Sequence, residues 1–465
     1  MVTRSLKYVV SACSGEQVSG SPELSVNGLC IDSRQSRTGN LFVALAGERF
    51  DGHDFLTDAV HKGVAAVVVN RAKAVDATSC GCAVIAVTDT RQALGKLAAR
   101  YRTDFTLPII AVGGSNGKTT TKEILAAVLR QKLVTLASEA SFNNDIGVPL
   151  TLLKLEAAHR VAVLEVGTNH PGELAPLVRM IQPKFGVITS LGREHLEFFG
   201  DRDGVLKEEG WLAELLPADG KLFVNADDEG MERVVQRTNA PIVRVGLSDR
   251  TDWRAHDIRL DKQRVWFQIK APTAEFAGEY MIHLPGRHQV VNALFGVALG
   301  KELGLNRAEI QRGLAECKPL KMRLQLWEVN GVRVLDDAYN ANADSMLAAL
   351  QVLQDMPCAG RRVAVLGDMA ELGTHSKAVH EEVGRRAAES GVEQLFAVGK
   401  MAGVMARAAG AAGLNRIFEF AEVESAGHAL RNFLKTGDLV LLKASRATHL
   451  ERVGEILRGA AAKQK

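Results

Sequence analysis

Short aliphatic runs recur along the chain, separated by stretches in which apolar residues return every three or four positions. Residues 41–45, 64–69 and 83–87 are the first such runs, and 91–102 carries the longer helical period. A bounded apolar run of this length reads as a buried strand, and the periodic stretch as an amphipathic helix. Further strand-like runs occupy 108–112, 161–167 and 187–190. The period changes over 253–284, where Val265, Phe267 and Ile269 alternate with polar residues and predict an exposed antiparallel sheet. The small-residue stretch 293–300 predicts a helix packed closely on a neighbour. From about 322, runs at 332–335, 363–366, 395–398 and 439–442 alternate with helical patterns, which predicts a doubly wound parallel sheet. The expected fold class is α/β in three domains: a small α/β unit over 1–105, a larger, mostly parallel unit over 106–321, and a Rossmann-like, doubly wound unit over 322–465. A chain of 465 residues is long enough for several cores.

The most informative stretch follows the run at 108–112. The chain turns through Gly113, Gly114 and Gly117, then opens a helix carrying Ile124, Leu125, Val128 and Leu129 at helical spacing. Glycines let a backbone approach phosphate oxygens and aim its N–H groups at them, and a helix N-terminus adds partial positive charge. Lys118 supplies a full charge for the β- and γ-phosphates, and the Thr119 hydroxyl is placed for Mg²⁺. Strict phosphate-loop spacing asks for glycine at 112, where this chain has valine, so only the Gly-x-x-Gly-Lys-Thr core matches. Strand before, helix after and Lys-Thr in register predict a nucleoside triphosphate site. The strand at 161–167 carries the acid Glu165, the usual source of a metal-directing carboxylate in such sites. His195 follows the strand at 187–190, and polar loops at 336–342, 367–371 and 443–446 lie at strand C-terminal ends, the edge where open α/β sheets hold ligands. Polar turns at 31–34 and 47–53 suit either a phosphorylated ligand or ordinary turn chemistry, and spacing alone favours the latter.

Charge narrows the partners. With 57 basic against 54 acidic residues and a net charge of +3, the chain lacks the excess that a polyanion binder carries, so nucleic acid is not expected. No apolar run approaches the roughly 18 residues of a membrane span, so no membrane partner is expected. Six cysteines in a chain of this length give neither a disulfide framework nor a zinc pattern. They read as reduced thiols of a cytoplasmic protein.

Taken in order, these segments resemble the Mur ligase superfamily, ATP-dependent amide-forming enzymes of peptidoglycan precursor synthesis. Asp32-Ser-Arg34 with residues 48–55 resembles the family's uridine-nucleotide domain. Residues 114–119, 143–149, 165–167, 187–197 and His288 with Asn292 resemble its ATPase domain. Residues 336–342, 366–373 and 443–446 resemble the last domain of the member that joins D-alanyl-D-alanine to a UDP-N-acetylmuramoyl tripeptide. The resemblance implies that Gly114, Ser115, Asn116, Gly117, Lys118, Thr119 and Thr120 hold the phosphates of ATP. It places Thr119 and Glu165 on one Mg²⁺ and His195 on a second. Asn292 falls near the adenine, Arg323 against the γ-phosphate and Asp337 on the ribose. Ser33, Arg34, Asn143 and Asn144 become the residues for the uridine-nucleotide substrate, and a monomer is expected.

Three positions depart from that pattern. Most relatives carry a carbamylated lysine shortly after the His-Leu-Glu segment; here Glu209 aligns with it and Lys207 precedes it by two. Either Glu209 supplies a carboxylate to the metal directly, or the register shifts and Lys207 is modified, or the stretch is a solvated charge run at a helix start. Gln289 stands where relatives have Asn, and Ala444 where they have Gly. The rival readings are a ligase of the same superfamily with another acceptor (a third amino acid, or glutamate on folate) and a non-catalytic nucleotide-binding regulator.

Overall fold

The computed structural model describes residues 1–261 and 263–462. Three large sheets follow one another along the chain. The first has the order Glu16–Ser19, Ala83–Val87, Ala66–Asn70, Leu41–Val43, Leu29–Cys30, parallel except at its first pair. The second places strand Ile109–Gly113 between Val161–Glu165 and Phe185–Ile188, all parallel, and runs on through Lys221–Asn225 and Ile242–Gly246. The third has the order Gln325–Val329, Val332–Asp336, Leu439–Lys443, Arg362–Gly367, Gln394–Val398, Ile417–Phe420, parallel after an antiparallel first pair.

Alternation along the strands explains how the sheets are buried. Ile109, Ala111 and Leu164 face a core shared with Val43, Ile85 and Leu97 of the first unit, so those two units share one apolar interior. Ile110, Val112 and Val163 point the other way, under helices Lys118–Leu129 and His288–Glu302. In the last sheet Leu335, Leu366 and Leu441 face one core, and Val334, Val365 and Val440 the other. Both faces of that sheet are covered, as the doubly wound reading requires. No helix among the described residues is long and apolar enough to cross a membrane.

The alternating stretch 253–284 is antiparallel as expected, but it is joined to the central sheet and open on one face only. Strands Trp253–Asp261, Arg264–Lys270 and Gly278–Ile282 extend the central sheet, the first of them pairing parallel with Ile242–Gly246. Val265, Phe267 and Ile269 are 0%, 0% and 2% exposed, so only the polar face is open to water. A period of two reports two different faces, not how far the apolar one is covered.

The helix predicted at 293–300 runs from His288 to Glu302, and its glycines let neighbours in: a Cβ at Gly296 would lie 2.7 Å from Ile124 Cγ2. Helix Arg307–Glu316 approaches the phosphate-loop helix still more closely. A Cβ at Gly313 would lie 2.4 Å from Val128 Cα and 2.8 Å from Ala127 O, both backbone atoms. Gly313→Ala should therefore destabilise the protein by about 1–3 kcal/mol through overpacking, outweighing the roughly 1 kcal/mol that alanine gains in helix propensity. The urea midpoint measures it, and an unchanged or raised midpoint would mean that the two helices can part.

Candidate active site

Register brings the reactive segments together. Glu165 lies beside Val112 and Ile188 beside Gly113, so the three parallel strands end level and their following loops meet. They form the floor of a cleft of about 1790 Å³ whose walls include Glu48 and Arg91 from the first unit and Asp337 and Lys443 from the last.

The glycine turn is braced by the chain's own hydrogen bonds. Gly114 has φ +108°, and a Cβ there would lie 2.6 Å from Thr189 Oγ1, so both conformation and space demand glycine. The Ser115 N–H donates to Ser190 O at 2.8 Å, the Asn116 N–H to Ser190 Oγ at 3.0 Å, and the Gly192 N–H to Ser115 Oγ at 2.8 Å. Helix Lys118–Leu129 then starts at Gly117 with no side-chain cap. Its first N–H groups are left for an anion, which the helix dipole favours. Thr119 and Thr120 line the cleft at this end.

Around Lys118 the charges do not balance. Its ammonium donates to Gly114 O at 2.5 Å and to Ser115 O at 3.3 Å, and lies 3.4 Å from Glu194 Oε2. Burial lowers its pKa, but Glu194, Glu209 and Glu165 outweigh burial and hold it above the ordinary lysine value. Glu165 is 1% exposed; its Oε1 accepts from Asn143 Nδ2 at 2.9 Å, and its Oε2 has no partner among the described residues. Glu194 Oε1 and Glu209 Oε1 are likewise buried without a partner. Glu209 Oε2 accepts the Gly114 N–H at 2.7 Å from beneath the turn. Burial pushes this carboxyl up to about 8, although Lys118 and the Gly114 N–H both pull it down.

Buried carboxylate oxygens lacking donors suit a hard divalent cation. No group of three or more His, Cys, Asp or Glu side chains among the described residues is arranged to hold a metal unaided. A cation here would complete its shell from water and phosphate, as Mg²⁺ habitually does. The donor set therefore fits magnesium.

His195, with φ +48°, precedes helix Leu196–Phe199, and its Nδ1 lies 2.5 Å from Glu371 Oε2 of the last unit. The imidazole holds the Glu371 carboxyl below the usual range. Asn292 Nδ2 donates to Gln289 Oε1 at 2.8 Å, and a Cβ on Gly117 would touch Asn292 Oδ1, so the Gln289 departure serves to orient Asn292 beside the turn. Arg323 sits between Met322 and Leu324, which both have left-handed φ, and its guanidinium lies 4.2 Å from the centroid of the Tyr339 ring. Asp337 fastens that segment: its Oδ1 accepts the Leu324 N–H at 3.0 Å, and its Oδ2 accepts from Lys443 Nζ at 2.5 Å. Ala444, the third departure, is fully buried and packs against Gly367.

Not every expected residue joins this site. Ser33 and Arg34 do not line the cleft; Arg34 pairs with Asp32 at 2.8 Å on the surface, and the Ser33 carbonyl accepts from Lys62 at 2.9 Å. Asn143 and Asn144 do line it, but apart from that pair: Asn143 serves Glu165, and Asn144 Oδ1 accepts the Ile146 and Gly147 N–H groups. Lys207 is exposed, and on helix Arg202–Glu209 a separation of two residues turns a side chain by roughly 200°. The register in which Lys207 faces the phosphate loop is therefore excluded. Sequence reasoning missed Glu194, whose one signal was a second charge next to His195. It also missed Glu371 and Tyr339, whose partners lie some 176 and 198 residues away.

Three family models match the chain in succession: "Mur ligase family, catalytic domain" over 25–102, "Mur ligase middle domain" over 112–300, and "Mur ligase, glutamate ligase domain" over 322–446. The UDP-N-acetylmuramoyl-tripeptide–D-alanyl-D-alanine ligase of Escherichia coli (strain K12) is 38% identical over 88% of this chain and 89% of its own. A crystal structure of MurF from Acinetobacter baumannii superposes with TM-score 0.89 at 32% identity, covering 98% of this chain and 99% of that one. MurF from Thermotoga maritima, solved in complex with ADP, gives TM-score 0.81 at 27% identity over 94% and 98%. With relatives this similar along nearly its whole length, the chain belongs to the Mur ligase family.

Proposed function

We propose that the chain is an ATP-dependent ligase that joins D-alanyl-D-alanine to UDP-N-acetylmuramoyl tripeptide in the cytoplasm, releasing ADP and phosphate. One observation carries the reading: an uncapped helix end with Lys118, ringed by buried carboxylates, opens into a cleft walled by all three units. Residues 1–105 take the uridine nucleotide, with Ser33 and Arg34 at its surface. Residues 106–321 take ATP, and residues 322–465 bring the dipeptide and close over the nucleotide.

The chemistry joins two anions, a peptide carboxylate and a triphosphate. The carboxylate oxygen attacks the γ-phosphorus, the bond to the β-phosphate oxygen breaks, and ADP leaves an acyl phosphate behind. The dipeptide amine then attacks the acyl carbon, phosphate departs with the bonding pair, and the ammonium proton is lost as the amide forms. The 114–120 loop holds the phosphates, Lys118 and Arg323 meet charge developing on the transferred group, and Asn292 and Asp337 place the nucleoside. Thr119 and Glu165 would hold one Mg²⁺ and His195 a second, and the metal would supply further neutralisation of the phosphate charge. Glu209 adds a carboxylate from beneath the turn, where most relatives carry a carbamylated lysine.

Lys118→Ala should remove ligation while the folded melting profile persists, because losing a charge clamp costs several kcal/mol of barrier and about 1.4 kcal/mol is tenfold in rate. Near-normal turnover in that variant, measured as phosphate release requiring both peptide substrates, would sink the assignment. Lys207→Ala should leave turnover within about twofold and bicarbonate should have no effect, since surface substitutions of this kind are usually near-neutral; stimulation by bicarbonate points to a carbamate instead. Glu209 also predicts a pH dependence of the ligand-free protein. Its folded carboxyl keeps a proton up to about 8, against 4.5 ordinarily, so between those values the unfolded chain binds fewer protons. Raising the pH through that window therefore favours unfolding. Melting temperatures should decline there more steeply in the parent protein than in Glu209→Gln; parallel curves would refute it.

A further inference from the structure

We propose that Arg193 is a positioning residue that makes the placement of Glu194 and His195 depend on docking of the last sheet unit. The inference rests on the ligase reading above and adds a control on it.

By sequence, residues 189–200 belong to the central sheet, between strand Phe185–Ile188 and helix Leu196–Phe199. Many of their polar partners lie elsewhere. The Arg193 N–H donates to Asp344 Oδ2 at 2.7 Å, and its Nε and Nη2 donate to Asp344 Oδ1 at 2.9 and 2.7 Å. Nη1 and Nη2 also reach Glu382 Oε2 and Oε1 at 2.7 and 3.3 Å. Asp344 lies in the first turn of helix Ala343–Asp355 and Glu382 in helix Ser376–Glu389, so one guanidinium ties down two elements of the other unit. The approach is close: a Cβ on Gly192 would fall 2.5 Å from Asp344 Oδ2. Two further bonds follow along the segment, His195 Nδ1 to Glu371 Oε2 at 2.5 Å and the Glu197 N–H to Glu371 O at 3.0 Å.

An isolated exposed ion pair is worth little, but a guanidinium forked between two carboxylates has the geometry that is an exception. The segment needs outside support, because His195 is held in a left-handed conformation that costs free energy. Undocking removes both carboxylates from Arg193 and the glutamate from His195 together. Glu194, the next residue, then loses the brace that sets it 3.4 Å from Lys118. Docking of the dipeptide-bearing unit thus completes the phosphoryl-transfer site, and ATP is spared turnover in the open form.

The test compares Arg193→Ala, Arg193→Lys, Glu382→Gln and the Arg193→Ala/Glu382→Gln double variant in the full-length protein. With every substrate saturating, Arg193→Ala should lower kcat about tenfold or more, while calorimetric affinity for a non-hydrolysable ATP analogue with Mg²⁺ stays within about threefold. Arg193→Lys should recover part of the loss, since an ammonium can serve one carboxylate but not fork between two. The double variant should be no worse than Arg193→Ala, because both changes remove one interaction. Small-angle scattering should show Arg193→Ala more extended than the parent protein. Wild-type kcat in Arg193→Ala, fully additive losses, or a loss that merely tracks a lowered melting temperature would overturn the proposal. A parent protein without ligase activity would instead overturn the ligase reading, and the scattering comparison would still test docking.

Discussion

A half-buried ammonium beside three buried carboxyl groups at a glycine turn leaves charge unbalanced, and the rest of the site follows from that imbalance. Lys118 offsets one of the charges of Glu165, Glu194 and Glu209. Glu209 relieves part of the remainder by holding a proton to about 8, which is the cheaper alternative to an unpaired buried charge. Glu165 and Glu194 keep oxygens without donors among the described residues. Such a cluster is costly in a folded protein unless a cation is part of its working state.

That cluster exists because three strands end level. Its groups come from strand Val161–Glu165, from the loop after Phe185–Ile188 and from helix Arg202–Glu209, spread over 44 residues of sequence from Glu165 to Glu209 yet converging on one turn. A parallel sheet covered on both faces leaves only its strand ends open, and here those ends face the last unit across the cleft. Bonds across the gap fall on the segments that carry chemistry: Asn342 Nδ2 to Asn116 Oδ1 at 3.0 Å, Ser141 to Tyr339, and His195 to Glu371. The docked arrangement is thus specified at the reacting end, where a small displacement matters most.

Much of this was legible in the sequence, for a physical reason. Strands 108–112 and 161–167 are apolar because they are buried on both faces, and the turn at Gly114 is glycine because no other residue fits; each demand is local and leaves a local mark. What the sequence hid was pairing at a distance. Nothing near Glu194 announces that its partner is Lys118, and nothing near Arg323 announces Tyr339 beneath it. The antiparallel pairing at 253–282 was legible, but the cover over Val265 and Phe267 was not, since the helix that packs there lies later in the chain. At 207 and 209 helix geometry puts one side chain in water and the other under the turn.

The valine at 112 shows how a departure from a motif is absorbed. A longer glycine-rich loop leaves the strand early and wraps the phosphates with several N–H groups. Here Val112 stays in the strand, fully buried and paired beside Glu165, and the turn begins only at Gly114. The shortened loop has fewer donors to offer: the Gly114 N–H is held by Glu209, and those of Ser115 and Asn116 by Ser190. The uncapped helix end lies just beyond these held groups, and Lys118 at its start bonds back to the carbonyls of Gly114 and Ser115. Those two bonds fold the lysine back over the turn and hold its ammonium against the loop's own carbonyls.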